Sequence, residues 1–199
     1  MYRPTSFNQL PSVVKNLLII NGLFFIAQKT FPNILEPYLA LHAFQSSNFN
    51  LYQVITYSFL HADIYHLIFN MFPVFMFGRV LENTWGSKRF LNYYLLTAIG
   101  AAIVQLIVGG FGLTIGASGG VFGLLVGFGM LFPNTRLFLL FPPIPIKAKY
   151  FVIGYSILEL YAGVRAVAGD NVAHFAHLGG ALFGFLIIKY WQKNNTQFY

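Results

Sequence analysis

Apolar residues along the chain gather into six runs, near 13–32, 64–78, 90–110, 118–132, 148–164 and 172–190. Between them lie short stretches where Lys, Arg, Asn, Pro and Gly collect. A helix that crosses a bilayer needs about 17–25 predominantly apolar residues, and most of these runs have that length. The pattern predicts an all-α polytopic membrane protein of six transmembrane helices. Residues 1–12 then form a short cytoplasmic tail, 13–192 the membrane domain and 193–199 a second cytoplasmic tail.

The fourth run is the exception. Ser118 to Phe132 is fifteen residues, about 22 Å at 1.5 Å per residue and short of a hydrocarbon core about 30 Å thick. With its lower end at the loop beginning Pro133, its upper end stops inside the membrane. Ser118 therefore opens a submerged helix. The preceding "GGFGLTIGA" descends as non-helical backbone, which is tolerated at that depth only where protein or a water-filled cavity surrounds it.

Composition agrees with this pattern: of 199 residues, 57% are hydrophobic and 9% charged, against about a quarter charged in a typical globular domain. With no cysteine, disulfides and thiolate metal sites are excluded. The net charge of +7 raises nucleic acid as a partner, but the cations are distributed by side. Arg3, Lys15, Arg79, Lys88, Arg89, Arg136, Lys147, Lys149, Lys189 and Lys193, ten of the twelve, share one side if both termini do. Lys29 and Arg165, with Glu36, Asp63, Glu159 and Asp170, fall on the other. By the positive-inside rule both termini are cytoplasmic, and no basic patch with interleaved aromatics remains for DNA or RNA.

The first run follows Arg3 and Lys15 but lacks a small-residue cleavage site, so an uncleaved helix is expected rather than a signal peptide. Residues 33–60 make a long, aromatic-rich outer connection, too apolar for a plain linker. "ENTWGSKRF" reads as a tight cytoplasmic turn and "FPNTRLFLLFPPIPIKAKY" as a proline-punctuated cytoplasmic loop.

Four polar side chains stand out in the apolar runs: Ser118; His66 and Asn70, one turn apart on a helical face; and His177. Singly, a transmembrane serine is most often a packing residue, and glycines at four-residue spacing a helix seam. Together they carry a specific chemistry. A serine hydroxyl becomes nucleophilic when a base takes its proton, and imidazole is the usual base near neutral pH. No intramembrane Asp or Glu is expected to orient that imidazole, so Ser118 and His177 form a dyad. The helix N-terminus at Ser118 supplies a backbone N–H and the positive dipole end for an oxyanion, and His66 and Asn70 can add donors. Gly116 and Gly119 let the backbone turn at the nucleophile. Gly120, Gly123 and Gly127 are expected to admit the sixth helix, with Gly180 and Gly184, on the face of His177, as the complementary notch.

These residues resemble the rhomboid family of intramembrane serine proteases. "GASG" resembles its GxSG nucleophile motif with Ser118, "HLIFN" its HxxxN oxyanion motif with His66 and Asn70, and "AHLGG" its AHxxG base motif with His177. The match covers roughly Leu51 to Lys189. It implies a six-helix rhomboid-like bundle, single-pass transmembrane protein substrates and membrane lipid as partners, cleavage near the outer face, and no metal or cofactor. It also implies that Phe122 packs on the catalytic histidine, and that His61, Arg79 and Glu82 hold the first loop and the turn between the second and third helices. "VAHFAHLGG" offers His174 beside His177; only His177 has glycine three residues later, so His174 is expected to pack or line a cavity. The alternatives are a non-catalytic rhomboid-like protein that binds client helices, and a channel or transporter, for which intramembrane carboxylates or paired interrupted helices are missing. Size and uncleaved topology suggest a bacterial inner membrane.

Overall fold

A computed structural model describes residues 10–109, 112–138, 142–165 and 172–194. Most of both tails, with Arg3, as well as Gly110, Phe111 and Asp170, lie outside the described residues. Six long helices follow the six apolar runs: α1 (Ser12–Thr30), α2 (Ile64–Trp85), α3 (Ser87–Val108), α4 (Ser118–Leu131), α5 (Ala148–Arg165) and α6 (His174–Lys193). By length and apolarity α2 and α3 each suffice to cross a bilayer, while α4 is apolar but shorter. Its 14 residues span about 21 Å.

The outward faces of these helices are apolar. Leu23, Ile26, Phe69, Phe72, Ile107, Ile157, Leu158, Val164 and Leu186 are all exposed, while Asn21, Gln28, His61, Asn70, Glu82, Thr97 and Glu159 are buried. Such a distribution suits a chain solvated by lipid, where an exposed polar group is the costly one.

α4 is buried along almost its whole length, packed between α3 and α6. Glycine makes this possible, but not with the division expected from sequence. A Cβ on Gly120 would stand 2.7 Å from the ring of Tyr94, and one on Gly127 would stand 3.0 Å from the Tyr93 hydroxyl. Those two residues, with Gly123 against Thr97, therefore make room for side chains of α3. The approach of α6 depends on its own glycines: a Cβ on Gly180 would overlap the Gly119 carbonyl oxygen, and one on Gly184 would lie 3.1 Å from Gly123 Cα. Thus the notch is real, and its facing surface is the backbone of Gly119 and Gly123.

The connection from α1 to α2 has structure of its own, with short helices at Pro32–Leu39 and Gln53–Thr56. It is tied to the segment before Ser118 by a two-way backbone bridge between Leu41 and Thr114, 3.0 Å in each direction. A further bond joins Gly116 N–H to the Tyr57 carbonyl at 2.9 Å. The non-helical backbone leading to Ser118 is therefore hydrogen-bonded to protein, as burial requires.

At the other end, the buried Glu82 carboxylate accepts the N–H groups of Val13 and Val14 at 2.9 and 2.8 Å and the Ser87 hydroxyl at 2.7 Å. It satisfies orphan donors of the first turn of α1 and clasps the α2–α3 turn. Arg79 lies over the Phe75 ring at 5.6 Å. His61 is buried, its ring edge-on to His66 at 5.1 Å. Beyond α4, Arg136–Phe138 pairs antiparallel with Pro145–Lys147.

Candidate active site

Ser118 is the first residue of α4, and Gly116 two residues earlier has φ +120°, a backbone conformation that favours glycine. A side chain there would also collide with His66, whose Nε2 stands 2.7 Å from the position of a Gly116 Cβ. The turn into α4 thus requires glycine for both its torsion and its space. Gly119 carries a second constraint, since its missing Cβ would overlap Ala101 and lie 3.0 Å from the Tyr57 hydroxyl.

Four helices bring the polar groups together. Ser118 Oγ and His177 Nε2 are 2.8 Å apart. Phe122, one turn along α4, stacks flat on the His177 imidazole with ring centroids 4.5 Å apart and planes inclined by 12°. The expected packing of that ring is present.

The other imidazole nitrogen overturns one expectation. His177 Nδ1 lies 2.9 Å from Glu159 Oε2, a buried carboxylate on α5 that can orient the ring. A carboxylate accepts, so Nδ1 carries the proton and Nε2 presents its lone pair to Ser118. The group is a serine, histidine and glutamate in line. His174, one turn before His177, reaches the same Glu159 Oε2 with its Nδ1 at 2.6 Å, which is more specific than packing. Gly163, one turn beyond Glu159, lets the helices close: its Cβ would stand 3.1 Å from His174 Cβ.

His66 lies against the loop that leads into Ser118, beside Gly116. Asp63 caps α2 by accepting the His66 N–H at 2.9 Å. That bond also holds the exposed Asp63 carboxyl below its ordinary value. His66 Nδ1 in turn accepts the Ala62 N–H at 3.3 Å, which leaves the ring proton on Nε2, the atom turned toward Gly116. Asn70 is buried on the same face, with its amide donating to the His66 carbonyl at 2.9 Å. One of its two donors is thereby occupied within the helix.

Chemically, this arrangement pairs an acidic-side acceptor, a base and a hydroxyl with an imidazole N–H and a helix N-terminus across the loop. Sequence reading missed Glu159, Tyr57 and the Leu41–Thr114 bridge. For Glu159 a signal existed: a carboxylate inside "YSILELYAG" is expensive in lipid unless it has a partner. The other two are long-range contacts without a local signature.

Residues 48–193 match the Rhomboid domain, and the chain belongs to the rhomboid family. It is 30% identical over 155 residues to "Rhomboid-like protease 3" of Toxoplasma gondii, covering 77% of this chain and 57% of that protein. It is 31% identical over 149 residues to "Rhomboid protein 1, mitochondrial" of Saccharomyces cerevisiae, covering 70% and 42%. With "Rhomboid-like protein 11, chloroplastic" of Arabidopsis thaliana it shares 30% over 191 residues, covering 84% and 64%. The chain spans about half the length of the curated relatives it matches. Several of these relatives carry organellar names, and none of them supports the bacterial inner membrane expected above.

Proposed function

We propose that the chain is an intramembrane serine endopeptidase that cuts single-pass membrane proteins in or near their transmembrane segments, with its six long helices embedded in the bilayer, α4 beginning inside it, and both termini cytoplasmic. The observation that carries this reading is the 2.8 Å contact between Ser118 Oγ and His177 Nε2 at the mouth of a helix too short to cross the membrane.

In the first step His177 Nε2 takes the Ser118 proton as Oγ bonds to the peptide carbonyl carbon. Charge builds on the carbonyl oxygen, where the Ser118 backbone N–H, the positive end of α4 and His66 Nε2–H are available to meet it. The second Asn70 amide hydrogen is a further donor. Collapse of the tetrahedral intermediate breaks the C–N bond, and His177 gives its proton to the departing amine. Water then attacks the acyl-serine, with His177 as base again, and releases the new carboxyl terminus and Ser118. Glu159 holds the His177 tautomer and stabilises the imidazolium that forms at each transfer.

A test is cleavage of several labelled single-pass substrates in liposomes by the wild type, Ser118→Ala and His177→Ala. Cleavage by the wild type, abolished in both variants, is expected. Intact substrates with a folded wild-type protein would overturn the reading and favour capture of client helices without chemistry.

A further inference from the structure

His174 has no task in that mechanism, yet it competes with the base for a single carboxylate oxygen. From this cluster we infer a regulatory metal site: Glu159, His174 and His177 bind a transition-metal ion of the zinc type, and its binding disables the base. The regulatory half of this inference rests on the reading of His177 as general base; the binding half does not.

The ligand atoms of the three residues all lie within 4.8 Å of one another. Two edges of the triangle are 2.6 and 2.9 Å, from each Nδ1 to Glu159 Oε2. Ligands of a tetrahedral zinc ion, each about 2.0–2.1 Å from the metal, stand roughly 3.3 Å apart. Both edges therefore need to open by well under 1 Å. Two imidazoles and one carboxylate, with a fourth position left for water, form a donor set that suits zinc better than magnesium or calcium, which prefer all-oxygen shells. The ring pair comes from one helix at i and i+3 and the carboxylate from its neighbour, so relative helix position sets the geometry. The side chains of His174, His177 and Glu159 keep 13%, 12% and 9% of their surface accessible, which leaves a route in.

The chemistry of the switch lies in the tautomer. Catalysis needs hydrogen on His177 Nδ1 and a lone pair on Nε2. A metal on Nδ1 replaces the hydrogen there, so the neutral ring must carry its one hydrogen on Nε2, the atom facing Ser118. It can then no longer accept the serine proton. The same ion draws away the carboxylate that oriented the ring.

Binding is read without catalysis by titrating Zn2+ into the purified full-length Ser118→Ala protein in competition with a chromophoric chelator. Co2+ spectra then report the coordination geometry. One ion per chain is expected, with at least about tenfold weaker binding when His174→Ala or Glu159→Gln is added and a melting temperature that shows both variants folded. Binding unchanged by both substitutions, or no one-to-one binding, overturns the site. In wild-type protein, Zn2+ is expected to stop cleavage with the midpoint found for binding and EDTA to restore it; stoichiometric binding with undiminished cleavage overturns the switch. An inactive wild type that still binds one ion through these residues refutes the protease reading and leaves the site standing.

Discussion

Gly180 on α6 faces the carbonyl of Gly119 on α4 with no room for a single added carbon, because a Cβ at position 180 would overlap that oxygen. This contact sets the separation of the two helices that carry His177 and Ser118. Gly180→Ala is expected to force the backbones apart, since neither obstructing group is a flexible side chain. The cost is about 1–3 kcal/mol of stability, and the 2.8 Å hydrogen bond of the site is lost. Thermal melting in detergent with parallel cleavage assays checks this. An unchanged rate in Gly180→Ala contradicts the packing argument.

Glu159→Gln keeps the volume of the side chain and removes its charge. The His177 ring then faces an amide that can donate as well as accept, so its tautomer is no longer fixed and the imidazolium loses its counter-charge; kcat is expected to fall by about 10²-fold or more with little change in KM. His174→Ala leaves Glu159 with the base and is expected to cost less than Glu159→Gln. Steady-state kinetics on one substrate separates the two. Equal losses would make the carboxylate a packing group.

His66 turns its Nε2–H toward Gly116 in the loop before Ser118, whereas Asn70 already donates to the His66 carbonyl at 2.9 Å. His66→Ala is therefore expected to lower kcat by about 10²–10³, and Asn70→Ala by less. The reverse order would place the principal oxyanion donor on Asn70.

Asp63 aims His66 by capping α2. Its carboxyl is held below the ordinary value of 3.8 by the His66 backbone N–H. A depressed carboxylate stabilises the fold fully above that value and loses its contribution as pH falls below it. The melting-temperature gap between wild type and Asp63→Ala should thus be constant near neutrality and shrink in acid below about pH 4. A gap that persists in acid would show that the cap does not depend on the charge.

Much of this site was legible before the structure because its signals are local. The short fourth run placed Ser118 at a helix start, and the spacing of His177 to Gly180 and Gly184 put one face against a neighbour. Phe122 was expected on the histidine and stacks there. What failed depended on how helices turn toward each other. Gly120 and Gly127 lie on a face of α4 that meets Tyr94 and Tyr93 of α3, and nothing in their spacing distinguishes α3 from α6 as the neighbour. Glu159 was assigned to the outer side by the charge count. That count gives it no partner, and its contact with two histidines of the next helix follows from the α5–α6 crossing that Gly163 permits.

The claim that Ser118 is an activated nucleophile is tested most directly with a fluorophosphonate probe, which forms a covalent bond only with an activated serine, followed by mass mapping of the modified peptide. Labelling of Ser118 in the wild type, lost in His177→Ala and reduced in Glu159→Gln, is the expected result. A wild-type protein, folded by its melting curve, that takes no label at Ser118, or takes it equally without His177, would contradict the account.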